Sequence, residues 1–363
     1  MLITGKMNRE YRSRVFHPEW GLKFCFNRYS YLLIKLLDWN MDILEIMFKN
    51  IMEDEMAKKV LIATEKPFAA AAVTQIKVLC DKAGYECLLL EKYTDKADFI
   101  SAVKSVDALI VRSDKVTAEV IENAENLKIV VRAGAGFDNL DLAAASSKGV
   151  VCMNTPGQNS NAVAELALGM MVYLARNQFQ PKAGTELLGK KIGIHAYGNV
   201  GRNVARIARG FNMEVFAYDP FVDDQSLISE GITPLHSAKE LYSKCDYISL
   251  HLPKTEKTVK SVNRDLFRSM PKGAALINTA RKEVVCDDGL KLVLGERPDL
   301  KYASDIAPDN AVELKELFPG QVFFTPKKMG AQTSEANINA GVAAISQIVN
   351  FLENGDTTFQ VNK

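Results

Sequence analysis

The chain is poor in paired cysteine, in charge of one sign and in long apolar runs, and each shortage closes off a class of function. Its six cysteines, Cys25, Cys80, Cys87, Cys152, Cys245 and Cys286, form no CxxC pair, as expected of reduced thiols in a cytoplasmic protein rather than a disulfide framework. Cys152 and Cys286 read as core or surface filler. Lysine and arginine total 45 against 44 acidic residues, a net charge of +1, which recruits neither nucleic acid nor an anionic membrane. No run of like charge marks a tail. The stretch YSYLLIKLLDWNMDILEIMF is interrupted by Lys35, Asp38, Asp42 and Glu45, too often for a membrane span, and these charges make no basic face for an interfacial helix. No metal site is expected, and a small molecule is the expected partner.

At 363 residues the chain can fill two domains, each with a core of its own. Residues 1–55 hold both tryptophans, Trp20 and Trp39, without a packing pattern, and read as a disordered extension upstream of a natural start at Met56. From there, short apolar runs (KKVLIATEK, YECLLLEKY, ALIVRSDK, LKIVVRAGAG, GVVCMNTP) alternate with amphipathic segments. A second series follows: KKIGIHAYG, MEVFAYD, DYISLHLP, GAALINTAR, LKYASDIA and QVFFTP. The alternation predicts an α/β fold of two doubly wound, Rossmann-like domains with mainly parallel sheets. Residues 159–176 read as a linker helix, too apolar all round for a surface helix and suited to a second subunit. A last helix over 336–355 returns to the first domain. The predicted domains are therefore 56–153 with 331–363, and 154–330.

Residues 192–201, IGIHAYGNVG, join an apolar run to a glycine-bearing turn. Val200, Val204, Ile207, Ala208 and Phe211 then recur at helical spacing as one buried face. The turn Tyr197, Gly198, Asn199, Val200, Gly201 thus opens a helix, whose amides and dipole suit a pyrophosphate. Ala196 stands where such turns usually carry Gly, which suits Ala while φ stays negative. Alone, the turn is equally a packing device. Asp219 ends the next apolar stretch eighteen residues after Gly201, where a carboxylate accepts both ribose hydroxyls, and this favours NAD over NADP.

Several ordered motifs go further: RAGAGFDNLDL (132–142), NTPGQNSNAVAELALGM (154–170), GTELLGKKIGIHAYGNVGRNVA (184–205), YDP (218–220), HLPKTEKT (251–258) and INTARKEVVCDDGL (277–290). Together they resemble the D-2-hydroxyacid dehydrogenase family, most closely its 3-phosphoglycerate dehydrogenase branch, over nearly everything after Met56. The resemblance implies that Arg281 is the catalytic arginine, whose planar fork binds both carboxylate oxygens. It implies that the amides of Ala135 and Gly136 hold the substrate carboxylate and that Arg112 and Ser113 face a substrate phosphate, with Lys115 and Arg132 as weaker candidates. Asp305 corresponds to the residue that binds the nicotinamide carboxamide. Thr279 and Ala280 join the cofactor contacts, and His251, Pro253 and Thr258 form the loop over adenine and phosphates, with no acid/base role for His251. The longer members' C-terminal regulatory domains are not expected after Lys363, nor is feedback by serine through them.

The chain departs from the family at its acid/base. The family uses a histidine in a Pro-His-x-Gly context, but the stretch here is TPKKMGAQT, and His17, His195, His236 and His251 all lie elsewhere. Counting back from Gly330 selects Lys328, and counting from Pro326 selects Lys327; Lys328 is preferred. The family's second carboxylate is also missing, with Asn310 at its spacing from Asp305 and Asp309 one residue short. A carboxylate that helps a histidine base would handicap a lysine, which instead needs burial and a neighbouring cation to lower its pKa. The implied function is NAD-dependent oxidation of 3-phospho-D-glycerate by a cytoplasmic homodimer, the entry to serine synthesis. The rivals are another D-2-hydroxyacid dehydrogenase acting on glyoxylate, hydroxypyruvate or lactate, and a catalytically silent NAD(H)-sensing module.

Overall fold

A computed structural model describes residues 57–363, and the expectation for residues 1–55 lies outside them. Five parallel strands make the first sheet: β1 (Lys59–Thr64), β2 (Glu86–Glu91), β3 (Ala108–Val111), β4 (Ile129–Arg132) and β5 (Val151–Asn154), in the order β2-β1-β3-β4-β5. The connecting helices are α1 (Ala70–Ala83), α2 (Lys96–Val103), α3 (Ala118–Asn123) and α4 (Leu142–Ser147). Local chemistry sets their ends. The Asp95 carboxylate accepts from Ala97 N–H at the start of α2, and Gly84 takes φ 73° to end α1.

After α5 (Ser160–Ala175) comes the second sheet: β6 (Lys191–His195), β7 (Glu214–Tyr218), β8 (Thr233–Pro234), β9 (Tyr247–Leu250), β10 (Ala275–Asn278), β11 (Lys301–Ser304) and β12 (Val322–Phe324). Its order is β12-β11-β10-β9-β6-β7-β8, and every pairing is parallel. The intervening helices are α6 (Asn199–Gly210), α7 (Asp224–Ser229), α8 (Ala238–Lys244), α9 (Arg264–Ser269), α10 (Asp287–Glu296) and α11 (Ala311–Leu317). The short edge strand β8 carries no apolar run and escaped the sequence pattern.

The last helix, α12 (Ser334–Asn354), is capped by Thr333 and ended by Gly355 at φ 69°. It lies on the first sheet, where Ala340, Ala344, Ile345 and Ile348 join the buried cluster of Val60, Ile62, Ile76 and Ile129. Burying each Val or Ile side chain of this cluster stabilises by about 1.5–3 kcal/mol. Beyond it, Asn362 closes the edge of β5, accepting from Cys152 N–H at 2.8 Å and donating to Val150 O at 2.9 Å. No helix among the described residues is long and apolar enough to cross a membrane.

The helix α5 buries Ala164, Leu168, Met171 and Leu174 against the second sheet and leaves Asn161, Glu165 and Gly169 exposed. Lys301 of β11 caps its end, donating to Leu174 O at 2.8 Å. The face of α6 is narrower than predicted. Val204, Ala205 and Ala208 are buried, Val200 and Ile207 half-buried, while Phe211, past the last turn, is 41% exposed.

Candidate active site

In open parallel sheets, ligands collect beyond the carboxyl ends of the strands, where the strand order reverses. Here the order reverses between β1 and β3 in one sheet and between β6 and β9 in the other. The residues singled out from the sequence fall on those ends. Arg112 and Ser113 follow β3, Ala135 and Gly136 follow β4, Tyr197 to Gly201 follow β6 and Asp219 follows β7. His251, Pro253 and Thr258 follow β9, Thr279 to Arg281 follow β10, Asp305 follows β11, and Lys328 follows β12.

The glycine turn is a shaped cradle. Gly198 caps α6 in extended conformation, leaving the first amides of the helix free. A Cβ on Gly201 would stand 2.6 Å from Ala196 O, so only glycine lets the helix start this close to the strand. Asp219 braces the turn, accepting from Tyr197 N–H at 2.8 Å through Oδ2 and from Phe221 N–H at 2.9 Å through Oδ1. A carboxylate has about four acceptor positions, so two remain for hydroxyls. The expectation of a negative φ at Ala196 is corrected, because the residue takes φ 77°. A residue with a Cβ gives up roughly 1–2 kcal/mol in that region. Cradle and carboxylate together fit a dinucleotide.

Around the loop over this site, Thr258 Oγ1 donates to Pro253 O and accepts from Thr255 N–H at 2.8 Å, which closes residues 253–258 into a turn. His251 bonds to Ser249 Oγ at 3.0 Å through Nε2, and its N–H donates to His195 O at 3.0 Å. Burial, with His195 beside it, pushes its pKa down to about 3, so it stays neutral. His195, at the end of β6, is driven down to about 4 by burial and shares a hydrogen bond with the Tyr242 hydroxyl at 3.2 Å.

The second cluster spans both sheets. Arg281 leaves β10 through a turn in which Asn278 accepts from Ala280 N–H and donates to Arg281 O. A Cβ on Gly136 would stand 3.1 Å from Arg281 Nη2, so the glycine makes room for the guanidinium. Arg132 reaches the same place from the end of β4, its Nε donating to Arg112 O at 2.9 Å and its fork lying against Gly134. Burial, then the charges of Arg112 and Arg281, push Arg132 down to about 10. Arg112 itself turns aside, donating to Pro67 O at 3.0 Å and stacking 5.1 Å over Phe68. Of the phosphate-side candidates, Arg132 is thus the more central and Ser113 is exposed.

Lys328 completes the cluster. Desolvation, then Arg281 and Arg132, lower its pKa, opposed by Asp305 and Asp138. The residue is exposed as a whole, while desolvation of its ammonium is the largest cause of the lowering and the two arginines add to it. Asp305 is 1% exposed and organises this loop. It accepts from Met329 N–H at 2.7 Å, Gly330 N–H at 2.9 Å and Thr325 Oγ1 at 3.0 Å. A Cβ on Gly330 would meet Asp305 Oδ2 at 3.0 Å. This tie, and the role of Thr325 in it, carried no sequence signal. Asp309 turns outward to pair with Lys282, and Asn310 sits at the start of α11 with its Oδ1 buried and unbonded. No group of three or more potential metal ligands occurs among the described residues.

A dinucleotide cradle on a Rossmann-like sheet, together with a cluster of arginine and lysine at the strand ends, has the parts that an oxidoreductase of anionic substrates needs. The match to the D-isomer specific 2-hydroxyacid dehydrogenase catalytic domain runs over residues 62–362, and the chain belongs to that family. It is 35% identical over 285 residues to a hydroxypyruvate reductase of Thermotoga maritima, covering 72% of this chain and 90% of that one. It is also 35% identical over 268 residues to the D-3-phosphoglycerate dehydrogenase of Methanocaldococcus jannaschii, covering 70% of this chain and 51% of that one. The chain thus spans about half the length of the curated phosphoglycerate dehydrogenases it matches. A crystal structure of NAD+-bound 3-phosphoglycerate dehydrogenase from Entamoeba histolytica superposes with a TM-score of 0.77 at 45% identity, over 85% of this chain and 99% of that one.

Proposed function

We propose that this chain is an NAD-dependent D-3-phosphoglycerate dehydrogenase, oxidising 3-phospho-D-glycerate to 3-phosphohydroxypyruvate at the entry to serine synthesis, in the cytoplasm. Residues 56–153 with 331–363 form its substrate domain and 154–330 its NAD domain. The observation that carries the reading is a second guanidinium, Arg132, brought beside Arg281 and Lys328. A carboxylate needs one cation to orient it, whereas a phosphate adds up to about two more negative charges.

Held by the turn Tyr197 to Gly201 and by Asp219, NAD would supply the acceptor for a hydride from C2 of the hydroxy acid. Arg281 and the amides of Ala135 and Gly136 hold the carboxylate, and the neutral amine of Lys328 takes the proton from the C2 hydroxyl. The lowered pKa of Lys328 raises the fraction of amine available for that transfer. Arg132 faces the phosphate, while the Arg112 fork is turned to Pro67 O. Closure of the two domains would exclude water from the transfer. The likeness to hydroxypyruvate reductase over nearly that protein's full length supports a second reading, reduction of an unphosphorylated 2-keto acid.

The test is NADH formation from 3-phosphoglycerate, glycerate and lactate by the full chain. Strong preference for the phosphorylated acid is expected. Equal rates would move the substrate to an unphosphorylated hydroxy acid, and NADH binding without turnover of any of them would leave a sensing module.

A further inference from the structure

The cradle is held from behind by Glu230, a residue outside every motif, which bonds to Tyr197 and Arg202 within the stretch 184–205. Tyr197 is 2% exposed, and its hydroxyl donates to Glu230 Oε2 at 2.9 Å while its backbone N–H is held by Asp219. Burial pushes the Tyr197 phenol up, which keeps it a neutral donor. Glu230 follows α7 directly and also pairs with Arg202 of the first turn of α6. The Arg202 guanidinium lies 4.9 Å from the centre of the Tyr197 ring, and Arg209 at the end of α6 donates to Glu230 O at 2.7 Å. Both ends of α6 and the turn before it therefore meet at one acidic residue.

The turn needs such a hold. Ala196 is kept at φ 77°, and swinging it back to negative φ would relieve its Cβ. That rotation would carry Tyr197 N–H away from Asp219 and the following amides out of their shared direction. We propose that Glu230 is a positioning residue for the dinucleotide site, clamping the strained turn in binding shape through Tyr197 and Arg202. The inference rests on the turn's binding a dinucleotide. It makes affinity a matter of preorganisation.

The experiment measures NADH affinity by fluorescence titration, and kcat at saturating NAD, in the wild type, Glu230→Ala, Ala196→Gly and the double variant. Glu230→Ala should raise Kd about tenfold, ~1.4 kcal/mol, with kcat within about twofold. Adding Ala196→Gly should restore most of the affinity, because glycine has no strain to release. Tyr197→Phe should weaken binding and add little on top of Glu230→Ala, the mark of a shared contact. If Glu230→Ala does not fold, Tyr197→Phe with and without Ala196→Gly makes the same comparison. An unchanged Kd, a parallel loss of kcat or no rescue by Ala196→Gly overturns the clamp. A wild type that binds no NADH would overturn the cofactor reading itself.

Discussion

As the proposed base, Lys328 replaces a histidine that would titrate near neutrality, and its chemistry must differ accordingly. Oxidation needs the free amine and reduction the ammonium, so the oxidation rate should rise with pH through the lowered pKa of Lys328 and the reduction rate should fall. Lys328→Met should cost about 10²–10⁴-fold in kcat with NADH affinity unchanged, whereas Lys327→Met should be nearly silent. Stopped-flow NADH formation across pH checks both. A pH profile unmoved by Lys328→Met would remove the lysine from the reaction. The choice of Lys328 over Lys327 rests on the register that Gly330 marks in the sequence. The tie of Asp305 to the amides of Met329 and Gly330 was not legible there, since those residues lie 24 and 25 positions apart from it and meet only when β11 and β12 pair.

At the scale of elements, β6 and β9 carry a titratable weakness at the floor of the cradle. His195 is 6% exposed, with a pKa pushed down to about 4 against an ordinary value of 6.5. Because the folded pKa is the lower one, the unfolded chain binds the proton first as pH falls, and stability is lost between about pH 6.5 and 4. The loss approaches ~3 kcal/mol at ~1.4 kcal/mol per pH unit, and His251 acts in the same direction. Urea melts at pH 7 and pH 4.5 should therefore differ by more in the wild type than in His195→Gln. Equal shifts in both would exclude this histidine. The strands and helices themselves were readable because buried parallel strands are short, continuous apolar runs bounded by turns. The edge strand β8 has only Thr233–Pro234 and buries too little to show such a run.

Across the whole molecule, an aromatic cluster at the end of α5 leaves one ring in solvent. Tyr173 packs 4.6 Å from Phe323 and 5.2 Å from Phe179, which is 68% exposed, and Leu166 and Val172 beside it are only half-buried. We propose a homodimer formed along α5, in which the exposed Phe179 ring would be buried. Sedimentation should give twice the monomer mass, falling toward the monomer in Phe179→Asp; a wild type running as monomer would remove the dimer.

The sequence alone determined the alternation of strands and helices, the glycine turn at Gly198 and Gly201 and the carboxylate of Asp219 at the next strand end, because each is a local pattern whose chemistry lies within a few residues, whereas Arg281 was marked only by the family resemblance. Tertiary structure alone decided three things. It gave the central place to Arg132 rather than Arg112, whose fork is spent on a backbone carbonyl. It put Ala196 in left-handed backbone, and it made Glu230 the meeting point of the turn and both ends of α6. These depend on which strand ends face each other and which groups are left to satisfy one another there, and no periodicity along the chain encodes that.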